Sequence, residues 1–206
     1  MDAPPRRRFE PASRLLLEAA LIILSVVLGF AVTEWRQNRT DRELVARVIE
    51  NVRIEVELNL AQIEQQISRH QQMIKNFESA DISDPEKSAW DIALAIMMKM
   101  GGGMDTLPLR QAAWDAAVSS GALRLMDYDL TAAMSEIYVG QHDAYTTTVT
   151  QAVPAIFTPD TFRAGSQREA LLVIRWLMVE VEGRERFVRD IYKRHLPRLQ
   201  AASQNP

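Results

Sequence analysis

Cysteine is absent from the 206 residues. No disulfide therefore staples the fold, no thiolate is available as a nucleophile, and no cysteine-based metal site can form. A basic excess is missing as well: 24 lysines and arginines face 27 acidic residues, for a net charge of −3, which leaves no electrostatic footprint for nucleic acid. Helix breakers are scarce where they would matter most. From Leu15 to Ser79 there is no proline and a single glycine, Gly29. No segment alternates apolar and polar residues for long enough to make a strand, so the class is all-α. Catalytic signatures are lacking too, with no Gly-x-Ser-x-Gly and no Gly-x-x-x-x-Gly-Lys. The histidines His70, His142 and His195 have no helical partner at metal-ligand spacing.

Against these absences stands one long apolar run, Leu15 to Thr33, interrupted only by Glu18 and Ser25 before the closing threonine. As a helix it measures roughly 28 Å, close to the hydrocarbon thickness of a bilayer. Arg6, Arg7, Arg8 and Arg14 precede it, and Trp35 comes after it at the position of an interfacial aromatic. The compact arginines predict a cytoplasmic tail over residues 1–14, a transmembrane helix over 15–33, and a translocated domain over 34–206. In a Gram-negative cell that places a single-pass protein in the inner membrane with its domain in the periplasm. Glu18 lies within a turn of the helix end and reads as a snorkelling acid beside Arg14. A cleaved signal peptide is the rival reading, but the run is long for one and no breaker separates it from the helical stretch beyond. Ser25, Gly29 and Thr33 recur every fourth residue, the spacing that lets two membrane helices approach closely.

Beyond the run, Val45, Val48, Val52, Val56, Leu60, Ile63, Ile67, Ile74 and Phe77 form one apolar seam that also carries His70. The anchor is expected to continue as one long helix, or as two with a slight joint if Thr40 and Glu43 form a capping box. A second helix is expected from Asp84 and Pro85 to Met100, stopped by Gly101 to Gly103, and a third from about Leu109 to Ser120 around Trp114, closed by Gly121. Asp127 is placed to cap a fourth, carrying Leu130, Met134, Ile137 and Tyr138 inward and ending before Pro154. Ser166 with Glu169 predicts the start of a last helix running to about Arg194, with Ala170, Ile174, Leu177, Val181, Val188 and Ile191 inward. Its run from Ala170 to Val181 is apolar nearly all round, yet at about twelve residues with Arg175 and Glu180 inside it reads as a core helix instead of a second span. The architecture expected is an up-and-down bundle of about five helices, neighbours antiparallel.

The stretch LLLEAALIILSVVLGFAVTEWRQNRTDRELVARVIENVRIEVELNLAQIE resembles the N-terminal block of an uncharacterised family of bacterial single-pass inner-membrane proteins, catalogued as a domain of unknown function. An acidic residue opens the span, a tryptophan stands just after it, and a charged helix comes next. The stretch AAWDAAVSSGALRLMDYDLTAAMSEIY is similar to that family's second block. Glu18, Trp35, Trp114, Ser120, Gly121, Leu123, Asp127, Leu130 and Tyr138 carry the resemblance. It implies the membrane topology and a helical fold, and no activity. Taken on its residues alone, the second block is a tight corner: Gly121 as a left-handed cap, Leu123 and Leu125 as plugs, Asp127 as the next helix start.

The functional expectation is a membrane-anchored interaction or scaffold module that partners the lipid bilayer and a protein or a second copy of itself, with no cofactor and no nucleic acid. Ser25, Gly29, Trp35, Trp114, Gly121, Asp127 and Tyr138 are the structural and interaction candidates. A ligand-sensing bundle is the alternative, disfavoured by the short segment before the span. Another is a copper site, since Met97, Met98, Met100 and Met104 offer soft thioethers, although methionine more commonly fills irregular gaps. An enzyme would need convergent buried polar groups that spacing does not reveal. A pocket lined by Trp114, Tyr138 and His142 with a strongly perturbed titratable group would favour a ligand or an enzyme. A closed apolar core with an exposed hydrophobic strip would favour interaction.

Overall fold

In the computed structural model, residues 11–81, 87–102, 106–152, 154 and 167–204 are described. Five α-helices account for most of them: α1 (Pro11–Glu78), α2 (Ala89–Lys99), α3 (Ala112–Ser120), α4 (Tyr128–Gly140) and α5 (Gln167–Gln204). A 3₁₀ turn over Ala122–Leu125 joins α3 to α4, and α4 unwinds into wide π turns at Gln141–Thr146 and Thr148–Ala152. No strand occurs among the described residues. The chain divides into two units, Met1–Leu44 and Val45–Pro206.

In the first unit the run from Leu15 to Thr33 is helical and exposed along its whole length. It holds the one segment among the described residues that is long and apolar enough to cross a membrane. Its hydroxyls are satisfied within the helix: Ser25 Oγ donates to the Leu21 carbonyl at 2.7 Å and Thr33 Oγ1 to that of Gly29 at 2.9 Å. Such i−4 bonds leave no hydroxyl that lipid would have to solvate. The long-helix alternative is the one that forms, and no joint opens at Thr40. With no breaker nearby the helix propagates through it, its hydroxyl donates to the Arg36 carbonyl at 3.1 Å, and Glu43 accepts from Arg39 at 3.0 Å in place of closing a capping box.

The second unit is a bundle whose directions can be read from its cross-links. Glu57, Glu64, His70, Gln71 and Glu78 on α1 meet Gln200, Lys193, Glu185, Glu182 and Arg175 on α5, so numbers fall on one helix as they rise on the other. α5 therefore runs antiparallel to α1. It is also antiparallel to α4, through Arg194 with Glu136 and Arg198 with Asp129. By contrast α1 and α4 are parallel, because Tyr138, Gln141 and Tyr145 climb in step with Glu55, Asn59 and Gln66. The helices α4 and α5 approach closely at Gly140, where a Cβ would lie 2.5 Å from Ile191 Cδ1.

The seam expected on α1 is the core: Val48, Val52, Val56, Ile63, Ile67, His70 and Phe77 are buried. Each large aliphatic side chain so buried contributes about 1.5–3 kcal/mol. Leu130, Met134, Ile137 and Tyr138 of α4 and Ala170, Ile174, Leu177, Val181, Val188 and Ile191 of α5 face inward as their spacing requires.

Several boundaries differ from expectation. α2 starts four residues later than the Asp84–Pro85 pattern suggested, with Ser88 as N-cap in a reciprocal capping box with Asp91; Asp84, Pro85 and Gly103 lie outside the described residues. α3 starts at Ala112 instead of near Leu109, because the backbone just before it is bonded by side chains of α1. α5 continues ten residues past Arg194 and through Pro197, because Leu199 is fully buried and Gln200 binds Glu57 at 3.1 Å. A proline inside a helix removes one N–H and crowds the carbonyl four residues back, and these contacts hold the helix across it. Ser166, the expected cap of this helix, lies outside the described residues. In the corner, Ala122 is fully buried while Leu125 is 47% exposed, so Ala122 and not Leu125 plugs the turn.

Candidate functional site

A second set of side chains shares the inner side of α1 with the apolar seam. Glu55, Asn59, Gln66 and His70 are all buried, spaced four, seven and four residues apart so that they stack along one side of the helix. Burying such groups without partners would cost several kcal/mol each. Asn59 and Gln66 find partners in the segment between α2 and α3, and Glu55 at the start of α3. Asn59 grips Arg110 by both backbone groups, accepting from its N–H at 2.9 Å and donating to its carbonyl at 2.8 Å. Gln62 donates to the carbonyls of Leu107 and Pro108, Gln66 donates to that of Leu107, and Glu55 accepts the Ala113 N–H at 2.9 Å. From the other side Gln141 donates to the Arg110 carbonyl and Tyr145 to that of Leu107, both at 3.1 Å. Residues 107–111 are thereby held outside any helix, which is why α3 begins late: the backbone is satisfied by side chains, and Pro108 offers no N–H.

The π turn at Gln141–Thr146 belongs to the same arrangement. It carries Gln141 and Tyr145, both buried, into the ladder, and Tyr192 of α5 donates to Gln141 Oε1 at 2.6 Å. Higher on the same side, His70 Nδ1 lies 2.9 Å from Glu185 Oε2, with both side chains fully buried. Burial first, then its hydrogen bond to Glu55 at 2.6 Å, holds the Tyr138 hydroxyl well above the ordinary phenol value. Burial raises Tyr192 likewise.

The residues singled out from sequence fall into three places. Trp114 and Tyr138 come together, their rings stacked at 5.0 Å and 16°. With Gln111, Asp115, Val139, His142 and Asp143 they line an open cleft of about 260 Å³. Gly121 adopts φ +72° and closes α3 by donating to the Val118 carbonyl. Asp127 accepts from the N–H groups of Asp129 and Leu130 and caps α4. Ser25, Gly29 and Trp35 belong to the first unit, where a Cβ on Gly29 would meet nothing within 4 Å.

Among the described thioethers, Met97 and Met100 pack on the same apolar cluster while Met98 points away from it. Met97 is buried in the core with Phe77, Ala93 and Leu171, Met98 is 66% exposed, and Met104 lies outside the described residues. No group of three histidine, aspartate or glutamate side chains placed to hold a metal ion occurs among the described residues.

Sequence reasoning missed the ladder. Glu55, Asn59, Gln62 and Gln66 look like solvated positions because their partners are 41 to 83 residues away along the chain, some of them on π turns that no local pattern announces. It also missed an outward apolar face. The run from Ala170 to Val181 buries Ala170, Leu171, Ile174, Leu177, Met178 and Val181 against Phe77 and α2, while Leu172, Val173, Trp176, Val179 and Phe187 on the opposite side of α5 are exposed. On α2, Leu94 and Met98 are exposed in the same manner.

No protein-family model matches the chain, and searches of curated proteins and of solved structures return no match.

Proposed function

We propose that this chain is a single-pass bacterial inner-membrane protein whose helical domain, carried on the periplasmic side, binds another protein and does not catalyse a reaction. One observation carries the reading: the interior polar side chains hold the chain's own backbone and one another, while large apolar side chains are turned outward on α5 and α2. Exposed apolar faces of this kind are what protein contacts use. The exposed run from Leu15 to Thr33 supports the anchor, and the resemblance of the two sequence blocks implies the same topology. Two measurements test it. A reporter enzyme active only after export should work when fused at Pro206 and fail when fused at Arg14. Photoreactive side chains placed along the outer face of α5 in cells should trap a protein, whereas the same probe at Ser119 on α3 should not. A reversed reporter pattern overturns the topology, and equal, featureless labelling at both places overturns the interaction.

A second reading is favoured by the cleft at Trp114 and Tyr138. Its rim of Asp115, His142 and Asp143 beside an aromatic pair has the make-up of a small-molecule site. The Tyr138 hydroxyl is taken by Glu55, so a ligand there would be held by the exposed rim alone. Quenching of tryptophan fluorescence by a bound small molecule, lost in Trp114→Phe, would bring this reading to the front.

A further inference from the structure

The outer face of α5 reads Leu172, Trp176, Val179, Gly183 and Phe187, separated by four, three, four and four residues. That is the spacing of a seam between two helices, on the side of α5 opposite the core. Trp176 is 61% exposed, and Leu172 and Phe187 slightly more than half.

Gly183 stands in the middle of this seam. A glycine inside an exposed helix costs about 1 kcal/mol relative to alanine. Close packing explains the glycine at 140, where a Cβ would strike Ile191. Nothing among the described residues explains the one at 183, where a Cβ would meet no atom within 4 Å. A bare patch of helix flanked by Val179 and Phe187 is a socket for a bulky side chain from outside.

The rim of the seam is charged but balanced. Arg175 pairs with Glu78 at 2.5 Å, Arg184 with Glu180 at 2.7 Å, and Arg186 with Glu182. A face with no net charge has no electrostatic pull on anionic lipid or nucleic acid, both of which select a positive surface. It suits another apolar helix with an equally balanced rim.

We propose that this partner is a second copy of the chain, α5 against α5, antiparallel about a twofold axis between Val179 and Glu180. The seam is complementary to itself in that register. Trp176 of each copy falls on Gly183 of the other, Leu172 on Phe187, and Val179 beside Val179 across the axis. A parallel pairing would set Trp176 on Trp176 and leave Gly183 facing Gly183. Each copy offers roughly 500 Å² of apolar side chain here, so the pair buries on the order of 1,000 Å², the lower bound for a specific interface. The inference deepens the interaction reading and rests on it.

Because the chain has no cysteine, a single Val179→Cys in the full-length protein reports the axis without background. Mild oxidation of membranes should convert more than half of the Val179→Cys protein to a disulfide-linked dimer. Val139→Cys, on α4 and somewhat more exposed than Val179, should stay monomeric. Adding Trp176→Ala, or separately Gly183→Leu, should lower the Val179→Cys yield at least tenfold without loss of helicity or thermal stability, since both positions are open to solvent. Val179→Cys yields no higher than those of Val139→Cys, or yields untouched by either second change, would overturn the pairing, the latter by showing random collision within the membrane. A photoreactive group at position 176 that traps a different protein while Val179→Cys stays monomeric would overturn self-pairing and leave the interaction reading standing. If neither adduct forms, both fall.

Discussion

Around Asn59 the interior of the bundle is built from amides, carboxylates and phenols that clasp the non-helical segment 107–111, whereas around Phe77 it is built from methyls and thioethers. The first region is selective. An amide that must meet both the N–H and the carbonyl of Arg110 accepts one register and no other, and leaving either group unmade is expensive. The second is tolerant, since apolar contacts need volume and not direction. The tolerant region is also the one whose helix α5 turns apolar groups to solvent. Specificity of fold and availability for partners are therefore divided between two ends of the same helices.

The contrast breaks most visibly at Asn59. Asn59→Leu removes three hydrogen bonds and leaves the Arg110 backbone without its clasp from α1, so stability of the full chain in detergent should fall by about 3 kcal/mol or more. Ile174→Val, in the apolar region, should cost about 0.5–1.5 kcal/mol. Urea titrations that place both losses within error of each other would erase the distinction between the regions.

Much of the fold is legible in the sequence because it is local. The seam on α1, the left-handed turn at Gly121 and the cap at Asp127 all arise from residues within one or two helical turns of one another. The illegible part depends on distant partners. Gln62 and Gln66 are ordinary helix-surface residues until residues 107–108 are laid across them. The wide turns after Gly140 place Gln141 and Tyr145 against residues 107–110, and no spacing in their own sequence requires them. The cleft at Trp114 and Tyr138 was foreseeable as a set of residues, while the hydrogen bond tying Tyr138 to Glu55 was not. Most of the seam from Val45 to Phe77 is buried within the chain's own fold, and the spare apolar face lies on α5.

Close helix packing gives the next largest effect. Gly140→Ala drives a methyl into Ile191 Cδ1, and overpacking of this kind should cost about 1–3 kcal/mol. Gly121→Val should cost about 1–2 kcal/mol for a different reason, since a β-branched residue resists φ +72°. Asp127→Asn should be close to neutral because asparagine caps as well as aspartate. Thermal melts that rank Asp127→Asn beside Gly121→Val would remove the glycine from its role at the corner.

Alkaline pH should strain the polar region selectively. The Tyr138 hydroxyl has its value raised from the ordinary 10.0 by burial and by Glu55. A raised value means that the folded state keeps the proton while the unfolded chain releases it. Stability is therefore complete below pH 10 and declines as pH rises above it. Tyr138→Phe should lower stability at pH 7 by about 1 kcal/mol, because Glu55 loses a donor, and should also flatten the decline at alkaline pH. An unchanged slope in the variant would show that Tyr138 does not govern the alkaline limb.

The smallest effect has the opposite sign and sits on the tolerant side. Gly183→Ala adds a methyl where no described atom lies within 4 Å and relieves the entropy cost of an exposed helical glycine. Measured on monomeric protein, at a dilution where Val179→Cys no longer crosslinks, it should raise stability by about 0.5–1 kcal/mol. That gain separates position 183 from 140 and 121, where the same methyl or a larger group is resisted by the chain itself. If Gly183→Ala destabilises the monomer, an intrachain constraint holds the glycine in place, and its bare backbone is no longer a reason to look for a partner on α5.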